Sequence, residues 1–249
     1  MGDIALVAVV GFLAAAINGV VGSGTLLTYP VLLGLGLSPV VANGTSSAGL
    51  AAGGMAAGWA YRSELRDRLR ILAIPVVTAM VGGGIGALLV VLLPASVFDA
   101  VVPWLIVFAV VMVALQPLIV RTLRRRPHHV VRPRRDLPIW TALLGTYAGY
   151  FGAGQGVMYY SVLGLRYDED LQHVNAAKNL LGPLANAVGA IVFILAGFVS
   201  WPYVVALWVG SILGGYFGAR MARKVSPLVL RVIVIVIGII AAVSMWLEF

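Results

Sequence analysis

The sequence predicts an all-α integral membrane protein made of two inverted repeats. Each repeat opens with a glycine-broken or re-entrant helix pair and continues with about three spanning helices. Three observations lead there. Of 249 residues, 61% are hydrophobic and 10% charged, with a mean hydropathy of +1.02, and a soluble domain of this length does not have that composition. Charge-free stretches recur at about the 20 residues that a helix needs to cross the hydrocarbon of a bilayer. A glycine-rich interruption, Asn18-Gly19-Val20-Val21-Gly22-Ser23-Gly24-Thr25, then reappears far downstream as Gly149-Tyr150-Phe151-Gly152-Ala153-Gly154-Gln155.

The first repeat, residues 1–120, reads as apolar segments over Ile4–Val21, Leu26–Leu35, Val40–Ala60, Leu69–Leu93 and Val97–Val120. Met1-Gly2-Asp3 lacks the basic start of a cleaved signal. A basic cytoplasmic linker, residues 121–136, separates the repeats. The second repeat, residues 137–249, reads as Leu137–Phe151, Val157–Leu165, Leu171–Phe198, Tyr203–Ala219 and Leu228–Leu247. The second segment of each set is too short to span comfortably. The duplication extends beyond the break. Val41-Ala42-Asn43-Gly44-Thr45-Ser46 matches Val174-Asn175-Ala176-Ala177-Lys178-Asn179, and Gly82–Ala87 matches Gly214–Ala219.

Charge sets the orientation. Arg62, Arg66, Arg68 and Arg70 crowd the loop after the third segment, while Leu93-Pro94-Ala95-Ser96 is uncharged. In the second half the order swaps: Gly197–Trp201 is uncharged, and Arg220, Arg223 and Lys224 follow the next segment. Basic loops stay cytoplasmic, so equivalent loops face opposite sides, the repeats are inverted, and both termini lie outside the cytoplasm. The same clustering explains the net charge of +8 without nucleic acid as a partner. The absence of cysteine excludes disulfides and thiolate chemistry.

The spans hold no carboxylate away from their ends, which argues against an acidic proton or cation relay. Lys178 is the ionisable residue inside an apolar run, and Asn175, Asn179, Gly182 and Asn186 share its helical face. Snorkelling to the interface is the plainer reading of a lysine at this depth. Three asparagines on its face favour a cavity, and a buried cation with no carboxylate calls for an anion. Thr45 and Ser46 form the corresponding seam, with Asn43 beside them. At the breaks, Gly22, Ser23, Gly24 and Thr25, and then Gly152, Gly154 and Gln155, precede short helices starting at Thr25 and Gln155. The N–H groups and positive dipole ends of those helices suit an anion. Gly82–Gly86 and Gly214–Gly218 read as helix-packing glycines. His128 and His129 make a poor metal site, and no catalytic or cofactor motif appears. Asp168-Glu169-Asp170 reads as a solvated loop with Arg166 as a salt-bridge candidate, and His173 as an interfacial histidine.

At these residues the chain resembles the TauE/SafE family of membrane permeases, often called sulfite exporters. The likeness rests on Gly19, Gly22, Gly24 and Pro30, then Ala42-Asn43-Gly44-Thr45. In the second half it rests on Gly149, Gly152, Gly154, Gly156, Lys178-Asn179 and Gly214-Gly215 with Gly218-Ala219. The resemblance implies export of small sulfur-containing anions such as sulfite or organosulfonates. The family is usually drawn with seven or eight spans, against an odd number per half here.

The expected function is therefore secondary transport of a small anion across the inner (cytoplasmic) membrane, without cofactor or metal. Access would alternate around one midplane site built from Lys178, Asn179, Asn175, Thr45, Ser46 and the two breaks. An anion channel would use the same donors, and a non-catalytic membrane subunit is a third reading. An enzyme is disfavoured because no base–nucleophile pair lies within the spans. Homo-oligomerisation is left open.

Overall fold

The computed structural model describes residues 1–20, 22–125, 134–167, 170–221 and 227–247. Every regular element among them is a helix. The first half comprises α1 (Gly2–Val20), α2 (Thr25–Gly34), α3 (Pro39–Ala60), the short α4 (Arg62–Leu65), α5 (Leu69–Leu92) and α6 (Ala95–Arg124). The second comprises α7 (Leu137–Tyr150), α8 (Gln155–Arg166), α9 (Leu171–Leu195), α10 (Trp201–Met221) and α11 (Pro227–Leu247). Each expected apolar segment becomes a helix, and only α4 is additional. Basic residues assigned to the linker begin inside α6, which runs on through Arg121 and Arg124. His128, His129, Asp168, Glu169, Arg223 and Lys224 lie outside the described residues.

Among the described residues, five helices are long and apolar enough to cross a membrane, over Gly2–Gly19, Leu69–Leu92, Ala95–Arg124, Leu171–Leu195 and Leu228–Trp246. α3 matches them in length, with 22 residues, but carries Asn43, Thr45, Ser46 and Ser47 and several glycines. The apolar run of α10 covers Trp201–Phe217. The outer surface is a belt of exposed large apolar side chains. On α11 alone it includes Leu228, Val229, Val232, Ile233, Val236, Ile239, Ile240 and Val243. Water would not tolerate such a surface, whereas lipid supplies its contacts. The chain is an integral membrane protein.

α7 and α8 fold back as a helical hairpin. The Arg134 N–H donates to the Arg166 carbonyl at 3.0 Å, joining the start of α7 to the end of α8. Arg166 Nε also pairs with Asp136 Oδ2 at 3.0 Å; of the 168–170 loop expected to hold its partner, Asp168 and Glu169 lie outside the described residues. α2 has 10 residues and α8 has 12. At 1.5 Å per residue they extend about 15 and 18 Å, short of the roughly 30 Å hydrocarbon.

Packing follows the duplication. α1 lies on α10 as α7 lies on α5; α3 lies on α10 as α9 lies on α5; α2 meets α11 as α8 meets α6. α3 and α9 pack against each other, as do α6 and α11. Exchanging the two halves leaves this set of pairings unchanged. Glycines make the closest crossings. A Cβ on Gly82 or Gly86 would strike the α7 backbone at Ala142 or Thr146, and one on Gly214 or Gly215 would strike Phe12 or Gly53. These glycines serve packing, as small residues do where lipid gives helices no hydrophobic reason to associate.

α3 and α9 run antiparallel. A Cβ added at Gly44 would meet Phe193 and Phe198, one at Gly54 would meet Pro183, and one at Gly58 would meet the Asn179 carbonyl. The order reverses along the pair, and that decides which polar residues meet.

Candidate functional site

Both breaks end their first helix in the same way. The Gly22 N–H reaches back to the Ile17 carbonyl at 3.4 Å, and the Gly152 N–H to the Tyr147 carbonyl at 3.0 Å. Gly22 has φ +83° and Gly152 φ +74°, the left-handed turn that closes a helix and that only glycine adopts without strain. α2 and α8 then start at Thr25 and Gln155, as the spacing predicts, and neither has a side-chain cap. The two loops touch. The Gly156 N–H donates to the Gly22 carbonyl at 3.0 Å, and a Cβ on either glycine would strike the other's backbone. One N–H expected to face an anion is therefore spent on the opposite loop.

Lys178 is 4% exposed, and its Nζ donates to the Gly19 carbonyl at 3.3 Å. Gly19 lies in the last turn of α1, where unpaired carbonyls carry the negative end of the helix dipole. The buried ammonium thus has one carbonyl partner within the protein. The other half has a counterpart: Asn43 Nδ2 donates to the carbonyl of Tyr150, the last residue of α7, at 2.9 Å. Each broken helix is sealed by a polar side chain from the opposite half.

Lys178 and Asn179 line a cavity of about 20 Å³ with Gln155, Gly156, Asn18, Gly19 and Gly22, closed by Gly53, Gly54, Ala57, Gly182 and Pro183. That volume holds about one water. Gln155 Oε1 and Asn179 Nδ2 are buried there without a hydrogen-bond partner, and a buried polar atom left unpaired costs roughly 1–3 kcal/mol. Lys178 also lines a chamber of about 520 Å³ with Asn175, Tyr160, Gln116, Pro117, Val120 and four arginines.

Other expected site residues lie elsewhere. The Thr45 hydroxyl accepts from the Ser200 N–H at 2.9 Å, and the Ser46 hydroxyl shares a 2.5 Å hydrogen bond with Thr28. Neither residue lines the cavity, and Asn43 does not line it either. The antiparallel crossing is the reason. Thr45 sits beside the far end of α9 and Lys178 beside the near end, some 20 Å apart by helical rise from Gly44 to Gly58. A single site combining the two seams, as the duplication suggested, is not what the chain builds. Ser23 and Thr25 are buried at the first break, and Ser23 Oγ has no hydrogen-bond partner. Gly24, Gly152 and Gly154 shape the turns; Gly24 donates to Asn18 Oδ1 at 3.4 Å, and Gly152 abuts Asn186. His173 lies at the basic end between Arg68 and Asp170. Asn18 was legible as part of the break but had no match in the second half, where Ala148 stands.

On the other side of the tips, aromatic rings pack together. Tyr29 meets Phe151 with centroids 5.2 Å apart, and Phe98 meets Tyr150 at 5.6 Å and Phe151 at 6.4 Å.

An apolar helical shell enclosing two facing helix breaks and a buried polar centre defines a membrane transport protein. The chain belongs to the sulfite exporter TauE/SafE family, whose profile matches residues 7–245. It is 25% identical over 252 residues to a probable membrane transporter protein of Haemophilus influenzae, covering 99% of this chain and 97% of that one. It is 29% identical over 237 residues to the probable membrane transporter protein YfcA of Escherichia coli K12, covering 94% and 86%. It is 25% identical over 229 residues to the probable membrane transporter protein YdhB of Bacillus subtilis, covering 91% and 93%. No solved structure matches the chain.

Proposed function

We propose that this chain is a secondary transporter exporting a small sulfur-containing anion, sulfite or an organosulfonate, from the cytoplasm across the inner membrane. Lys178 carries the reading. It is a buried cation, and no carboxylate is among the described residues lining either space it faces. Gln155 and Asn179 add polar atoms with no partner of their own. The anion would displace the Gly19 carbonyl from the ammonium and accept from Asn179 Nδ2, while Gln155 Oε1, an acceptor, takes a proton donor such as water.

The halves, residues 1–120 and 137–249, act as inverted repeats that rock about the touching breaks. The antiparallel α3–α9 pair and the exchangeable packing support this. Basic loops face the cytoplasm and both termini face outward. In the conformation described, the chamber beside Lys178 is open at the basic end, while the rings around Phe151 close the opposite path. A cavity of about 20 Å³ admits no sulfonate, so passage requires the cavity walls to move apart around the touching breaks. That requirement favours a transporter over a continuous pore.

The test is sulfite flux in proteoliposomes holding the purified protein. Saturable flux that Lys178→Ala abolishes at normal expression is the expected result. Wild-type rates in that variant would overturn the assignment.

A further inference from the structure

The chamber bounded by α6, α8, α9 and α11 differs chemically from the cavity behind it. Its wall carries Arg121, Arg124, Arg125 and Arg231, with Lys178 at its inner limit. No carboxylate is among its described lining residues. At about 520 Å³ it has the size of a small-molecule site, whereas the inner cavity holds one water.

The first three arginines need no ligand to explain them. They close the C-terminal end of α6 at the basic face, where the dipole and the positive-inside rule both favour cations. Arg231 is different. It lies near the N-terminal end of α11 (Pro227–Leu247), where the helix dipole disfavours a cation rather than favouring it. Its Nη2 donates to Gln116 Oε1 at 3.4 Å, and its Nε is buried without a hydrogen-bond partner. The guanidinium is held towards α6 with donor capacity to spare. Pro117, Val120 and the ring of Tyr160 supply an apolar wall beside these cations.

We propose that this chamber is a second anion site, filled from the basic side by a doubly charged anion with a short apolar part. Arg231 grips one acidic group as a planar fork, which suits carboxylates and sulfonates, and Arg121 or Arg124 takes the other. Two sources fit this chemistry: a soluble dianion queuing for Lys178, and the two-phosphate headgroup of a lipid such as cardiolipin. The soluble case rests on the transport reading above; the site itself does not.

The experiment uses the full chain in nanodiscs, with thermal stabilisation as the readout. Sulfoacetate is the dianionic probe, and methanesulfonate is its monoanionic control. In phosphatidylcholine discs, stabilisation by sulfoacetate well above that by methanesulfonate assigns the chamber to a soluble dianion. Stabilisation seen only on adding cardiolipin, a lipid with two phosphodiesters, assigns it to lipid. In either case Arg231→Gln should weaken the apparent affinity about tenfold and Arg231→Lys should restore part of it, as expected for a charge-assisted contact. The melting temperatures of both variants without ligand report whether they fold. Stabilisation equal in wild type and a folded Arg231→Gln overturns the proposal. Sulfite flux separates the two claims: a folded Arg231→Gln with unchanged sulfoacetate binding, beside an inactive Lys178→Ala, rejects the chamber and leaves the transport reading standing.

Discussion

Lys178 of α9 donates to the carbonyl of Gly19 at the end of α1, 159 residues away in sequence and 3.3 Å away in space. The ammonium is anchored to the opposite half of the molecule by a backbone group rather than an acid. A carbonyl is a weaker partner than a carboxylate, so an arriving anion can replace it.

Lys178→Met should therefore separate stability from function. A buried charge with no ionic partner pays a desolvation cost that an apolar side chain of similar length does not. The expected outcome is an unchanged or raised melting temperature together with lost anion flux. A fall of many degrees would show that the ammonium holds the fold together.

Thr45→Val tests the position of the first-half seam. It removes the acceptor for the Ser200 N–H and should cost about 1–2 kcal/mol of stability. Flux per folded molecule should stay close to wild type, because Thr45 lies outside the Lys178 cavity. Flux loss as severe as in Lys178→Ala would put the residue back in the transport path.

This seam shows where sequence reading succeeds and where it stops. Helix positions, the paired breaks and Lys178 were legible because apolar length, glycine spacing and a lone cation are local signals. The duplication pairs Thr45 with Lys178 and Ser46 with Asn179. Equivalence became a shared site only by assumption, since an antiparallel crossing places such residues at opposite ends of the α3–α9 pair. The hydrogen bonds of Asn43 to Tyr150 and Thr45 to Ser200 carry no local trace, because their partners are distant backbone groups. Arg231 has no local signal that separates it from the other basic residues, and its contact with Gln116, far away in sequence, is what places it in the chamber wall.

Gly156→Ala should be severely destabilising. Its Cβ would meet the Gly22 backbone, which has no side chain to move aside. Overpacking typically costs about 1–3 kcal/mol, and more where only backbone can yield. The expected result is poor yield or a melting temperature several degrees lower. Gly34→Ala, where nothing lies within 4 Å, is the control.

Phe98→Ala should loosen the closed side. The ring is 1% exposed and packs on both Tyr150 and Phe151. Truncating a buried phenylalanine costs about 3–5 kcal/mol, here mainly to the conformation in which the rings meet. Labelling of cysteines introduced at Asn18, with an impermeant reagent applied from the outer side, should accelerate in this background. Unchanged labelling would place the barrier elsewhere.

The meeting of Gly22 and Gly156 bears on how the two halves can move. Two backbones joined by a single hydrogen bond, with no side chains interlocked, resist separation but offer little resistance to turning. Such a point is a fulcrum. A tilt on the order of 15° about it, the scale of subunit rotations in known switches, moves an atom about 15 Å away by about 4 Å. That is roughly the width of a small anion, gained at either end of the lever while the middle stays in contact.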